Sequence, residues 1–344
     1  VVYLKKMQHK EDSLSEAACL TMGNAYVQLK QYEQAKLSYQ AAANYAITPA
    51  VTEEAAYNYT LCTYQSSTAL GESVRAFNDF LHQFPNSKYE NNIYQLLTDA
   101  LLHSKNYSAA ISVLDSIDHP TQKMIDTKQY LRYQLAIDAF LQDKMNDVLK
   151  WSGEVINHET ATSAYKTEAY YLSAQAEYRM RQYEACMAQL NLYEQQGNIA
   201  QSNNQVAALY LKAYAAFNLK DFATAESLYR RYAQQVTPCE STYADAHNRI
   251  GDCLFQARRF QEAIDTYQQV VKCQKIGVDY ALLQQGFALG LLHRYSEKTE
   301  VLRSLTKEYP QSDYVDDALY DIARAELQQN RPQEAITVYQ TLLQ

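Results

Sequence analysis

Residues 259–267 read RFQEAIDTY, and the positions that define a pattern in this stretch are Phe260, Ala263 and Tyr267. A ring residue is followed three positions later by a small residue, and four positions after that by a tyrosine. Clear copies of this spacing begin at Tyr32, Phe222 and Pro332, and weaker copies occupy 70–73, 107–110, 145–148, 183–186 and 295–298. A pattern that returns at such regular intervals indicates a protein assembled from structural repeats.

The repeats have a common frame when each is counted back nineteen positions from its small residue, with a mean period of about 37.5 residues. The predicted starts are Glu16, Glu54, Asn91, Gln129, Thr167, Val206, Ala244, Asp279 and Asp316. Residues 1–15 then form the end of a truncated preceding repeat, and 16–344 form a single array whose last repeat is also truncated. Because both ends fall inside a repeat, the sequence is interpreted as a fragment of a longer protein.

Each repeat is predicted to contain two helices. Small or apolar residues recur at relative positions 4, 7, 8 and 11, and again at 20, 24 and 27, which places each set on one helical face. Position 20 is Ala, Ser or Cys in seven of the nine repeats, and position 8 is Gly in three, so the two helices can approach closely. A lone pair of helices cannot cover these faces, so neighbouring repeats must stack to complete the core.

This arrangement resembles the tetratricopeptide repeat (TPR) family. In the first repeat the matching residues are Gly23, Tyr26, Ala35, Tyr39 and Ala42. The resemblance implies an all-α, right-handed α-solenoid superhelix of about nine helix-turn-helix repeats. Ser152 and Lys298 depart from the pattern, because they occupy positions that favour an apolar and a small residue.

Two segments, 77–89 and 305–314, share the form FL-x-x-[FY]-P-x-S-x-Y or a close variant of it. That form is similar to repeats of bacterial envelope proteins, namely outer-membrane assembly lipoproteins and Tol–Pal coordinators. The similarity implies a periplasmic or cell-envelope location, with a cytoplasmic location as the alternative.

The composition narrows the classes of function. Only 8 glycines and 6 prolines occur in 344 residues, which favours helices over sheet. A net charge of −8 argues against general binding of nucleic acid, and no apolar run is long enough to cross a bilayer. The sequence lacks a phosphate-binding glycine loop, metal-ligand spacing and a catalytic constellation. We therefore expect neither an enzyme nor a cofactor or metal.

In this family, repeat positions 2, 5, 9 and 12 point into the concave groove, and aromatic residues are concentrated at positions 5, 9 and 12. The predicted partner-binding residues are Tyr133, Tyr171, Tyr178, Tyr210, Tyr214, Phe217 and Phe255. Tyrosine suits such a surface because it offers a large contact area with few rotatable bonds. The alternative is packing between repeats, which Phe140, Phe217 and Phe287 favour, whereas the tyrosines of 171–214 favour the groove.

The six cysteines contain no Cys-x-x-Cys pair. Cys186 occupies a small-residue position and is expected to be buried. Cys239 precedes the first helix of the seventh repeat and Cys273 ends its second helix. An antiparallel hairpin brings these two points to the same end, so we predict a disulfide bond between them.

The sequence predicts a non-catalytic scaffold that binds a partner peptide or protein on its concave face. A second hypothesis is a regulatory or targeting module of a longer protein whose catalytic domain lies outside this sequence. A third is self-association through the truncated repeat ends. The identity of the partner does not follow from the sequence.

Overall fold

The computed structural model describes residues 12–66, 70–103, 106–115, 120, 122–158, 163–196, 200 and 202–343. These residues form eighteen α-helices and contain no β-strand, which confirms the all-α prediction. The helices are α1 (Ser13–Gln28), α2 (Tyr32–Tyr45), α3 (Pro49–Ser66), α4 (Leu70–Gln83), α5 (Glu90–His103), α6 (Tyr107–Asp115), α7 (Gln122–Leu141), α8 (Met145–Ile156), α9 (Ser163–Arg179), α10 (Tyr183–Glu194), α11 (Gln205–Asn218), α12 (Phe222–Ala233), α13 (Ser241–Gln256), α14 (Phe260–Cys273), α15 (Val278–Leu291), α16 (Tyr295–Glu308), α17 (Val315–Gln328) and α18 (Pro332–Leu342).

Taken two by two along the chain, the helices make nine pairs, here called hairpins one to nine. Each predicted repeat start falls inside the first helix of a pair, so the helix-turn-helix repeat class is confirmed. The first helices begin upstream of the predicted starts because capping sets a helix end. At α1, for example, Asp12 accepts a hydrogen bond from the backbone N–H of Ser15 at 2.8 Å.

The chain divides into two compact units. The first contains residues 1–141 and 157–165, and the second contains 142–156 and 166–344. The predicted single array over 16–344 stays a prediction. The truncated repeat expected at 1–15 lies largely outside the described residues, which begin at Asp12.

The two helices of a hairpin touch where a side chain is missing. A Cβ placed on Gly23 would lie 2.5 Å from the ring carbon Cε1 of Tyr39, and one on Gly251 would meet the ring of Tyr267 as closely. Tyr39 and Tyr267 are almost wholly buried. The glycine in the first helix therefore leaves the space that a tyrosine of the second helix fills.

A hydrogen bond completes this contact in hairpins one and seven. The Tyr39 hydroxyl donates to Oδ1 of Asn24 at 2.6 Å, and the Tyr267 hydroxyl donates to Oδ1 of Asp252 at 2.8 Å. In both cases the tyrosine stands at repeat position 24 and its acceptor at position 9. The ring fills the interhelical space and the hydroxyl ties the second helix to the first.

The turns inside the hairpins contain few glycines because other residues adopt the left-handed backbone conformation there. Seven of these turns, within the described residues, place a non-glycine residue in the left-handed region just before the second helix: Lys30, Asp143, Arg181, Lys220, Arg258, His293 and Asn330. In six of these seven turns the next N–H bonds back across the turn, as from Gln31 to the carbonyl of Tyr26. This satisfies a carbonyl at the helix end that would otherwise lack a partner.

Lys298 in hairpin eight departs from the small-residue rule through an ion pair. Its Nζ lies 2.6 Å from Oδ2 of Asp321 in hairpin nine, and both side chains are buried. Gly290 gives the lysine room, since a Cβ there would lie 3.1 Å from Nζ. The other departure, Ser152, is fully buried, and its hydroxyl has no hydrogen-bond partner within the described ranges.

A disulfide bond joins Cys239 to Cys273, whose Cα atoms are 5.2 Å apart. Cys239 lies in the loop that leads into α13, and Cys273 is the last residue of α14. The bond therefore fastens the beginning of hairpin seven to its end. The four other cysteines are buried and form no disulfide bond within the described residues.

The contact between Gly251 and Tyr267 predicts a strong effect of a single methyl group. The change Gly251→Ala should destabilise the protein by about 1–3 kcal/mol, because the ring must shift in a closely packed interior. Gly153→Ala in α8 is the matched control, since a Cβ there meets nothing within 4 Å. The control should gain up to about 1 kcal/mol from helix propensity. Urea unfolding followed by circular dichroism measures both, and equal effects would contradict the packing argument.

The disulfide bond and the burial of the other four cysteines lead to a prediction about thiol reactivity. Folded, unreduced protein should show no thiol that reacts rapidly with Ellman's reagent, because burial raises the pKa of the Cys186 and Cys253 thiols to about 12. Mild reduction should expose two reactive thiols, and Cys239→Ser with Cys273→Ser should abolish them. Two fast thiols before reduction, in protein taken from its native compartment, would show that the bond does not form there.

Candidate functional site

The second unit contains a groove of about 640 Å³ walled by tyrosines. It lies between the first helices of hairpins five and six, α9 and α11, and is closed by α12 and the first turn of α13. Its aromatic lining consists of Tyr171, Tyr178, Tyr210, Tyr214 and Tyr232. The structure thus places four of the seven predicted residues around one cavity. The rest of the lining is Gln175, Asn203, Val206, Ala207, Leu211 and Thr242.

The rings of this groove hold one another in place. Tyr210 stacks on Tyr232 with ring centroids 4.3 Å apart, and meets Tyr214 edge to face at 5.0 Å. Tyr214 in turn meets Tyr178 edge to face at 6.5 Å. These are the favoured geometries of aromatic pairs, each contributing about 0.5–1.5 kcal/mol beyond burial. The groove is therefore preformed, and its surface loses little side-chain freedom when a ligand binds.

Two of the tyrosine hydroxyls share one carboxylate oxygen. Tyr214 donates to Oδ2 of Asp245 at 2.6 Å, and Tyr210 donates to the same oxygen. Asp245 belongs to α13 in hairpin seven, whereas both tyrosines belong to α11 in hairpin six. Burial raises the pKa of both tyrosines, and hydrogen bonding to the carboxylate raises it further. Both hydroxyls therefore stay protonated at neutral pH.

Hairpin six lacks the internal hydrogen bond seen in hairpins one and seven. Its position 24 is Tyr229, which is fully buried, and among the described residues no atom pairs with its hydroxyl. Position 9 is Tyr214 instead of the Asn or Asp that serves as acceptor elsewhere, and Tyr214 reaches Asp245 of the next hairpin. The local rule is broken here, and such breaks are expected where a surface serves a function.

A charged cluster lies behind Asp245. The Arg249 guanidinium is 2.7 Å from Oδ2 of Asp252 and 3.7 Å from Oδ1 of Asp245. Asp252 also accepts hydrogen bonds from Tyr267 at 2.8 Å and Tyr280 at 2.9 Å. Burial raises the pKa of Asp252, although Arg249 and the two hydroxyls oppose the shift. The cation is thus held by Asp252 more closely than by Asp245.

The other predicted residues lie elsewhere. Tyr133 is in the first unit, with its ring 6.0 Å from that of Tyr165. Phe217 packs on Phe222 at 5.5 Å, and Phe255 packs on Phe260 at 5.3 Å. In both pairs, the phenylalanine at repeat position 12 packs against the aromatic residue that begins the second helix of its own hairpin. Neither phenylalanine therefore lines the tyrosine groove.

Phe255 also lines a separate cavity of about 450 Å³. Its other walls include Phe287, Lys298, Asp321 and Arg324. This cavity belongs to hairpins seven to nine, beyond the tyrosine groove along the chain.

Sequence reasoning missed one groove residue, Tyr232, and the contact of Asp245 with two groove tyrosines. Tyr232 stands at position 27, one of the packing positions. Asp245 stands at position 2, which faces the groove in this family, but the sequence pattern did not pair it with Tyr210 and Tyr214. A signal for Asp245 existed, because it follows Tyr210 by 35 residues, close to one repeat. Residues one period apart lie on neighbouring hairpins.

Two further features concern groups of metal-binding side chains and helices that could span a membrane. Within the part of the chain that the structure describes, no three His, Cys, Asp or Glu side chains are grouped to hold a metal ion. In that same part, no helix combines the length and the apolar character needed to cross a bilayer.

Comparison with known proteins identifies three repeats directly. Residues 16–46, 241–275 and 317–344 match family models described as tetratricopeptide repeats. These segments correspond to hairpins one, seven and nine. A search of curated proteins gives no match.

Solved structures of similar fold include the apo form of RapI, with a TM-score of 0.54 and 11% identity over 82% of this chain and 75% of RapI. MamA from Desulfovibrio magneticus gives 0.43 and 15%, over 52% of this chain and 93% of MamA. Yeast Tom70 gives 0.38 and 13%, over 95% of this chain and 91% of its own. The likeness to RapI supports the helical-repeat fold.

The unpaired hydroxyl of Tyr229 yields a stability prediction. Tyr229→Phe should leave the free energy of unfolding within about 0.5 kcal/mol of the wild type or raise it, because no hydrogen bond is lost. Tyr267→Phe, the matched change in hairpin seven, should cost about 1–3 kcal/mol, because it removes a bond to a buried carboxylate. Urea unfolding of both variants tests the difference. A loss at Tyr229 equal to that at Tyr267 would mean that the Tyr229 hydroxyl has a partner after all.

Proposed function

We propose that this chain is a non-catalytic scaffold that binds a segment of another protein in the tyrosine groove. The observation that carries the proposal is the convergence of five tyrosines from three helices on one preformed cavity. Tyrosine and other aromatic residues dominate the energetics of protein interfaces, because they bury much surface at little entropic cost. The walls belong mostly to the first helices, the elements expected to face a partner.

The size of the groove fits a few side chains of an extended or helical peptide. Its volume of about 640 Å³ lies in the range of specific ligand sites, about 300–1,000 Å³. Gln175 at the wall and Asn203 at the edge offer amide groups to a peptide backbone. The groove thus combines apolar area with the hydrogen-bonding groups that a main chain requires.

We further propose a location in a bacterial periplasm or cell envelope. The Cys239–Cys273 disulfide supports an oxidising compartment, where such bonds persist. The segments 77–89 and 305–314, which are similar to repeats of envelope proteins, support the same location.

A photo-cross-linking experiment tests the binding site. A benzophenone side chain at Tyr178, on the wall of the groove, should capture a partner in extract of the source organism. The same group at Tyr320, a half-exposed tyrosine of α17 outside the groove, serves as the matched control and should not capture it. Captured proteins are identified by mass spectrometry.

The companion variant is Tyr178→Ala, checked for folding by circular dichroism. Loss of the aromatic wall should weaken binding of the captured partner about 10-fold to 100-fold, as expected for a central interface tyrosine. Equal capture at Tyr178 and Tyr320, or unchanged affinity in the alanine variant, would place the binding surface elsewhere.

A further inference from the structure

We infer that the Tyr210–Tyr214 end of the groove recognises a lysine or arginine side chain of the bound segment. This inference deepens the proposed function and rests on it. It follows from where the hydroxyl protons point, from the faces of the rings and from the charges around Asp245.

The hydroxyl protons of Tyr210 and Tyr214 already take part in hydrogen bonds. Tyr210 and Tyr214 both donate to Oδ2 of Asp245, and each hydroxyl has one proton to give. The lone pairs of the two hydroxyl oxygens remain, so these groups act toward a ligand as acceptors. A group that docks here has to bring N–H or O–H donors.

The carboxylate of Asp245 accepts from two groove-lining hydroxyls and is itself partly open to solvent. About a third of the Asp245 side chain, 31%, is exposed to solvent, and its Oδ1 is 3.7 Å from Arg249. The Arg249 guanidinium lies closer to Asp252, at 2.7 Å, so it neutralises Asp245 only in part. The cluster of Asp245, Asp252 and Arg249 has a formal charge of −1, which favours a cation.

The rings reinforce this preference. Aromatic faces carry negative potential, and a cation placed over them gains about 0.5–2 kcal/mol. Tyr210 and Tyr214 both line the groove and stand perpendicular to each other, with an interplanar angle of 90°. An alkyl stem can pack on the rings while its charged end meets the oxygens.

The cavity lined by Phe255 and Phe287 has the opposite charge and provides a comparison. Lys298 and Arg324 at its walls outnumber the single carboxylate of Asp321. Basic side chains are therefore expected at the tyrosine groove and not at the cavity of hairpins seven to nine.

Selection from random short peptides displayed on phage tests the inference. Folded, unreduced protein should enrich peptides with Lys or Arg at one fixed position. Selection on Asp245→Asn should lose that preference, whereas selection on Asp317→Asn, a change at an exposed carboxylate of α17 outside the groove, should keep it.

An enriched peptide then allows a quantitative test by fluorescence anisotropy. Replacing its basic residue by alanine should weaken binding to the wild type about tenfold. The same replacement should have little effect on binding to Asp245→Asn, because the partner charge is absent. Added NaCl should weaken the wild-type complex more than the Asp245→Asn complex, since the interaction is between opposite charges.

The outcomes separate this inference from the proposed function. Peptides that depend on Tyr178 but carry no basic residue would overturn the inference and leave the groove as the binding site. Peptides that bind Tyr178→Ala and the wild type equally would overturn the proposed function. If Asp245→Asn does not fold, the salt dependence of wild-type binding decides, and an affinity independent of NaCl overturns the inference.

Discussion

The close approach of two helices within a hairpin is the constraint on which the rest of this structure depends. It exists because Gly23 or Gly251 leaves a space that the ring of Tyr39 or Tyr267 fills, opposite a wholly buried alanine at position 20. This pairing fixes the relative height of the two helices. Once the height is fixed, the same residue types must return one period later, because each hairpin covers its neighbour. In hairpins one and seven, the sequence pattern thus reflects a steric fit between the two helices.

Hairpin six also buries its position-24 tyrosine, with Ala213 in place of the glycine, but it lacks the hydrogen bond seen in hairpins one and seven. Tyr214 stands at position 9, where Asn24 and Asp252 act as acceptors in those two hairpins. The Tyr229 hydroxyl has no partner among the described residues, and the Tyr214 hydroxyl donates to Asp245. A buried unpaired hydroxyl costs about 1–3 kcal/mol. Tyr214 also adds a ring to the wall of the groove. Hairpin six therefore lacks an internal hydrogen bond at the place where its first helix lines the groove.

The repeat frame was predictable because helical packing is periodic: all nine predicted starts lie in the first helices. The clustering of Tyr171, Tyr178, Tyr210 and Tyr214 followed from the same period. What escaped prediction depends on contacts between hairpins. The contact of Asp245 with Tyr210 and Tyr214 appears only when α13 is placed beside α11. Lys298 departs from the small-residue pattern, and Asp321 of the next hairpin compensates its charge. Residue types at fixed positions indicate the fold, but partners across a repeat boundary have to be seen in three dimensions.

The groove and the stacking of hairpins six and seven share the same atoms. Asp245 holds Tyr210 and Tyr214 across the boundary, and the helix that carries Asp245 begins just after the disulfide-bonded Cys239. A ligand that contacts these hydroxyls and this carboxylate touches both hairpins at once, so it stabilises the boundary by the free energy of its binding. In a repeat protein the terms between neighbours account for much of the stability. Occupancy of the groove and cohesion of the two hairpins are therefore one coupled equilibrium, in which the carboxylate of Asp245 takes part on both sides.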